Sequence, residues 1–295
     1  MKMERREFLQ TIAAGFGAAV IAPAMLRASE NADDSKPGEQ MRTVNPGGEV
    51  LVEWLGHGSF RFDSPGGKTI LLDPWLSTNP KCPAKYRTMK EPAKVDIVLF
   101  THGHVDHFML PDTNDIVERY NPKIVAGFEL QFVIKAKLPK ANTLTFQLAN
   151  KGAPSDIEGI KIAMVGADHS SGAQFTGFEG VCEYTGEPAG YVMEFENGLK
   201  IYHSGDTGLM TDMKTVIGDF YEPDVAILPI GGVYTMGPKE AAYACKLIRP
   251  KVVIPEHYGT FPMLVQSADE FVGFVRDYAP KTKAVVMNPG EVVVV

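Results

Sequence analysis

Cysteine is scarce in this sequence: Cys82, Cys182 and Cys245 are the only three in 295 residues, far apart and without a C-x-x-C pair. Neither a disulfide framework nor a zinc ribbon is therefore indicated, and the three thiols read as small buried hydrophobes. Positive charge is also in deficit, with 29 Lys and Arg against 36 Asp and Glu and a formal net charge of -7. Such a chain offers a phosphate backbone no basic surface on average, which excludes nucleic acid as an expected partner. No apolar run reaches the ~20 residues of a membrane-spanning helix, so a polytopic membrane protein is excluded as well. No short-period repeat is present, and a composition of 44% hydrophobic and 22% charged residues is that of an ordinary globular chain.

The first residues read as an address rather than as structure. Arg5-Arg6 precedes Phe8-Leu9, and a charge-free Ala- and Gly-rich stretch follows from Thr11 to Met25. Together these have the outline of a twin-arginine export signal over residues 1–28, with cleavage expected after Ala24 or after Ala28. Residues 29–48 are polar and rich in turn formers, a flexible lead-in. The folded domain is expected over 49–295. The mature chain is then periplasmic or secreted, its partners being the export machinery and a small-molecule substrate, with no membrane span of its own.

From residue 49 onward, short apolar runs alternate with turn signals. Strands are expected at 50–55, 69–72, 95–101, 123–126, 160–165, 191–195, 200–203, 225–228, 252–254 and 284–287, with an Asn197-Gly198 hairpin between two of them. Apolar spacings of three and four predict helices at 112–119, 129–137, 212–220, 238–248 and 268–278. The mixture predicts an α/β protein of two stacked sheets with helices on their outer faces.

The seven histidines fall at or just beyond the ends of these strands, where loops can turn side chains inward while the sheet holds them rigid. The densest group is Thr101-His102-Gly103-His104-Val105-Asp106-His107. In extended chain His102 and His104 project to one side and can share a cation, while Asp106 and His107, past a turn that Gly103 keeps open, suit a second one. So many ligand-type residues directly after a buried strand would be costly without a metal or strong hydrogen bonds.

His-x-His-x-Asp-His, followed by an isolated His169, Gly205-Asp206-Thr207 and a last His257 before a turn, resembles the metallo-β-lactamase fold superfamily. Further motifs carry the resemblance to an uncharacterised bacterial and archaeal branch related to the ascorbate-phosphate lactonases: Trp54-Leu55-Gly56-His57-Gly58, Asp73-Pro74-Trp75, His203-Ser204-Gly205-Asp206 and His257-Tyr258-Gly259-Thr260. It spans about 49–295. It implies an αββα sandwich with two divalent ions, zinc being expected and manganese or iron(II) also compatible with the donors. By the same resemblance His102, His104 and His169 hold the first ion, Asp106, His107 and His257 the second, and Asp206 bridges them.

Asp73 is expected to orient the histidine loop, or else only to form a turn before Pro74. His57 and His203 are expected near the site, on substrate or a ligating carboxylate, or in hydrogen-bonded packing. Tyr258 and Ser170 sit beside ligands, where a structural role is favoured over contact with substrate, and Trp54 and Trp75 read as core aromatics. The expected chemistry is hydrolysis of a small ester, lactone or phosphodiester by a hydroxide held between the ions, with Asp106 as catalytic group, and activity falling on acidification through ~6.5. Two other readings share these residues: a mononuclear iron oxidoreductase of the persulfide dioxygenase kind, and a non-catalytic binding protein that uses metal for stability.

Overall fold

The computed structural model describes residues 48–138, 140, 145–174 and 181–295. The expected export signal and nearly all of the expected lead-in lie outside the described residues. In chain order the strands are β1 (Leu51–Gly56), β2 (Ser59–Asp63), β3 (Thr69–Leu72), β4 (Ile97–Leu99), β5 (Lys123–Val125), β6 (Thr145–Gln147), β7 (Ser155–Ile157), β8 (Ile160–Gly166), β9 (Gly172–Ala173), β10 (Glu183–Tyr184), β11 (Ala189–Glu194), β12 (Lys200–His203), β13 (Val225–Pro229), β14 (Val252–Glu256), β15 (Lys283–Ala284) and β16 (Val292–Val294). Among them run the helices α1 (Ala84–Arg87), α2 (Leu110–Tyr120), α3 (Phe128–Lys137), α4 (Met213–Tyr221), α5 (Pro238–Ile248) and α6 (Asp269–Tyr278).

Two mixed sheets stack. The first has the order β16-β1-β2-β3-β4-β5-β6 and the second β15-β14-β13-β12-β11-β8-β7. Each is antiparallel at one end and parallel at the other: β3 to β6 run parallel in the first, β12 to β15 in the second. Side-chain alternation explains the near-continuous apolar runs. Ile70, Leu72, Ile97 and Leu99 point into the core between the sheets, whereas Leu71 and Val98 pack on Ile116, Val117, Leu130 and Ile134 of α2 and α3. Helices α4, α5 and α6 add Ile217, Ala241 and Phe271 to the larger core. The expected α/β sandwich, two mixed sheets flanked by helices, is the architecture observed.

The Asn197-Gly198 hairpin forms as expected: the Gly198 amide donates to Phe195 O at 2.8 Å, with Gly198 at φ 84. Three readings need correction. Cys182 is exposed rather than buried, unlike Cys82 and Cys245, because it lies beside the short β10 and outside both cores. Gly103, expected to keep a turn open, is required by packing: a Cβ there would lie 2.2 Å from Thr185 Oγ1. The helix at 212–220 is wound as a π-helix, the Glu222 amide reaching back to Ile217 O at 2.9 Å. That winding buries Met213, Ile217 and Gly218 and turns Phe220 out to solvent, 73% exposed, where ordinary α spacing would have brought it inward.

Candidate metal centre

The strand ends gather at one place. His57 follows β1, Asp73 follows β3, the histidine loop follows β4, His169 lies just past β8, His203 ends β12 and His257 follows β14. This is where α/β sheets present groups to a ligand. His57, Asp73 and His257 all adopt left-handed backbone, with φ 56, 45 and 58. Strain of this kind persists only where surrounding contacts over-determine it, and it concentrates at functional sites.

Two donor groups with no residue in common form, and a third, Asp73 with His102 and His107, overlaps both. In the first, His102 Nε2 and His104 Nδ1 are 2.9 Å apart, and one ring nitrogen from each of His102, His104 and His169 lies within 4.8 Å of the others. The second brings together His57, Asp106, His107 and His257 within the same limit. Asp206 stands between them. Its Oδ2 lies 3.1 Å from His257 Nε2 and 3.5 Å from His169 Nε2, and its Oδ1 lies 3.4 Å from His107 Nε2.

Outer contacts fix which nitrogen faces inward. Asp73, fully buried, accepts from the Thr101 amide at 2.8 Å, from the Thr101 hydroxyl at 2.5 Å and from His107 Nδ1 at 2.8 Å. It thus pins the loop and leaves His107 Nε2 directed at Asp206. His102 Nδ1 is engaged by Thr101 Oγ1 at 2.9 Å, which leaves Nε2 for the centre. Ser170 Oγ meets His104 Nε2 at 3.3 Å.

His57 belongs to the second group, a membership its isolated position in the sequence concealed. Both of its nitrogens have protein partners, Asp106 Oδ2 at 3.2 Å and Thr260 Oγ1 at 3.1 Å, so it holds Asp106 rather than offering a free lone pair. His203 lies beneath the cluster, edge-on to Phe60, its Nδ1 accepting from the Gly205 amide at 3.1 Å. Tyr258 stacks on Trp54 with ring centroids 5.3 Å apart, its side chain in the core between the sheets. Trp54 and Trp75 are buried aromatics. Glu256, which sequence reading missed as the polar end of a strand, is fully buried one residue before His257.

The electrostatics are those of a site prepared for cations. Burial lowers the pKa of His57 and His104 to about 4 and of His203 to about 3, and it takes His102 well below and His169 below the ordinary value. These rings are neutral at pH 7, the form that ligates. Burial opposes charge on His107 too, but Asp206 and Asp73 outweigh it and raise the pKa well above the usual range. Burial would raise Asp206 and Asp106; His107 and His257 around the first and His57 and His107 around the second instead hold both carboxylates well below their ordinary values. Glu256 is pushed well up by burial and by Asp206.

The chemistry of the donors tests whether metal fits. Buried His107 Nε2, Asp206 Oδ1 and His257 Nδ1 make no hydrogen bond among the described residues. His107 Nε2 and Asp206 Oδ1 face each other at 3.4 Å, too poorly placed for a hydrogen bond, and a cation between them would satisfy both. Imidazole with carboxylate is a donor set that divalent transition ions accept.

A profile of the beta-lactamase superfamily domain matches residues 51–257. A UPF0173 metal-dependent hydrolase of Roseiflexus sp. (strain RS-1) is 40% identical over 245 residues, covering 83% of this chain and 97% of that one. Another from Koribacter versatilis is 42% identical over 226 residues, 77% of this chain and 91% of its relative. Among solved structures, Igni18, a metallo hydrolase from Ignicoccus hospitalis, is 34% identical with a TM-score of 0.70, covering 84% of this chain and 98% of its own. Fold, donor-rich strand ends and these relatives agree, and the chain belongs to the UPF0173 metal-dependent hydrolases of the beta-lactamase superfamily.

Proposed function

We propose that this chain is an exported, dinuclear hydrolase of a small ester, lactone or phosphodiester. One observation carries the reading: the Asp206 carboxylate lies within 3.5 Å of ring nitrogens from His107, His169 and His257, so a single side chain adjoins both donor groups. His102, His104 and His169 would hold one ion, Asp106, His107 and His257 a second, and Asp206 both, with zinc the expected metal and manganese or iron(II) accommodated by the same donors. A bound pair of such ions supplies an activated water near neutral pH and polarises the scissile oxygen of the substrate.

The chain's own groups do the rest. Asp106, held ionised, keeps Oδ2 on His57 and leaves Oδ1 to orient the attacking water and take its proton. His57, its Nε2 on Asp106 Oδ2 and its Nδ1 on Thr260 Oγ1, keeps that carboxylate in place. Asp73 keeps His107 in register through Nδ1. The completeness of the second donor group favours the two-ion hydrolase over a mononuclear iron oxidoreductase. The reading of residues 1–28 as a twin-arginine signal supports loading before export and a periplasmic or secreted site of action.

Elemental analysis of protein from its native compartment, combined with turnover of lactone, aryl ester and bis(p-nitrophenyl) phosphate before and after chelation, tests this. Two divalent ions per chain and hydrolysis abolished by chelator and restored by metal are expected. One iron with oxygen uptake, or metal without turnover, rejects it.

A further inference from the structure

Four loops that carry donor residues, and the 229–238 loop bonded to two of them, share a second property. Each of the segments 101–109, 166–174, 203–213, 229–238 and 256–268 is free of Lys and Arg. Four of them instead present large apolar side chains to solvent: Val105 at 38%, Leu209 at 39%, Val233 at 72%, Tyr234 at 46% and Met263 at 40% exposed. Exposed apolar side chains gathered at one place mark a binding surface.

These loops adjoin one another at the centre. Met236 N donates to Thr207 O at 3.0 Å, tying the Val233 loop to the Asp206 turn, and Val265 N donates to Gly231 O at 3.0 Å, tying it to the His257 loop. Phe261, on the His257 loop, sets its ring 5.4 Å from that of His57 and 5.8 Å from Trp75. These loops thus bring exposed apolar residues to the strand ends that carry the donor groups.

Val233 is the most exposed of these side chains. It is a β-branched residue at φ 58, in left-handed backbone that costs such side chains on the order of 1–3 kcal/mol, and it is mostly exposed, so no packing of its own repays the strain. The turn around it is held by Tyr234 N to Gly232 O at 2.6 Å and Gly232 N to Met236 O at 3.0 Å. A glycine would sit there without strain.

We infer that these loops bind the apolar part of an uncharged substrate, and that among the substrates of the proposed reaction the chain takes an ester or lactone with an alkyl or aryl substituent rather than an anionic phosphodiester. The inference rests on the hydrolase reading and narrows it. Beyond the ions themselves, a phosphodiester would find no Lys or Arg on these five loops; Lys81 stands on the loop after Asp73, its Cβ 2.8 Å from where a Cβ on Gly56 would lie. The net charge of -7 further disfavours an anion.

The test uses the full chain loaded with zinc, and p-nitrophenyl acetate, butyrate and hexanoate beside bis(p-nitrophenyl) phosphate. Full burial of one methylene is worth about fourfold, so kcat/KM is expected to rise by at least ~10-fold from acetate to hexanoate and to exceed that for the diester. Val233→Gly, which relieves strain and therefore folds, and Leu209→Ser are each expected to flatten that gradient. Equal kcat/KM for the three esters, or a preference for the diester that Lys81→Ala abolishes, overturns the inference and leaves the hydrolase reading intact. Should no compound turn over, the hydrolase reading fails and binding decides: octan-2-one, followed by saturation-transfer NMR on metal-free protein, is expected to bind the parent and more weakly Val233→Gly. No binding, or equal binding, overturns it.

Discussion

Asp206 Oδ2 stands 3.1 Å from His257 Nε2, and the same carboxylate faces His169 of the first donor group and His107 of the second. Asp206→Asn keeps the shape and removes the charge. It is expected to reduce bound metal below two per chain and to lower kcat/KM by at least ~100-fold, the upper end of what outer contacts alone are worth. Unchanged metal content by elemental analysis would remove Asp206 from the bridging position.

Asp73 works at one remove. Its three bonds hold the Thr101 backbone, the Thr101 hydroxyl and His107 Nδ1. Asp73→Ala is expected to weaken metal affinity about 10–100-fold and to lower stability by about 3 kcal/mol, since buried hydrogen bonds to a charged group are lost together. Chelator competition and thermal melts separate the two effects. Asp73→Asn, which retains an acceptor for the Thr101 amide, is expected to recover part of the stability and less of the affinity.

Acidification acts on the metal-free protein through several groups, and the sign follows from each. His57, His102, His104, His169 and His203 have folded pKa values depressed below 6.5 by burial, so the unfolded chain binds more protons between about 4 and 6.5 and stability falls as pH falls through that window. Raised Asp73 and Glu256 pull the other way above their ordinary values, but they are two against five. Raised His107 contributes stability that is full below 6.5 and is lost at higher pH. Metal-free protein is therefore expected to melt highest near pH 6.5. A melting temperature that climbs steadily toward pH 4 would contradict the neutral state of the five rings. Loaded enzyme is expected to retain activity below 6.5, further than an ordinary histidine would permit.

Gly103 tests the packing behind the histidine loop. Gly103→Ala places a methyl 2.2 Å from Thr185 Oγ1 and is expected to cost about 1–3 kcal/mol, most of it recovered in the double variant with Thr185→Gly. Additive losses in the melts would show that the two positions do not meet.

Much of this was legible in the sequence because the physical signals were local. Strands 69–72 and 200–203 and helix 238–248 have the boundaries their apolar patterns predict, since both faces of each strand are buried and Pro238 opens the helix. Strand β2 escaped because Arg61 interrupts Phe60 and Phe62. The arginine is buried all the same, its Nη1 donating to Tyr86 OH at 3.1 Å and its Nε to Asp63 Oδ1 at 3.0 Å. The motif at 101–107 announced a donor cluster through spacing alone. His57 and Glu256 did not announce themselves, because what places them is the stacking of the sheets, which no local pattern encodes.

The residues of the centre come from both layers of the sandwich: His57, Asp73 and the histidine loop from the first sheet, His169, Asp206 and His257 from the second. An ion seated there is also a rivet through the seam. Loading should slow amide exchange in strands on either side of it together, so that the reagent of the reaction doubles as the fastening that keeps the two leaves of the protein shut.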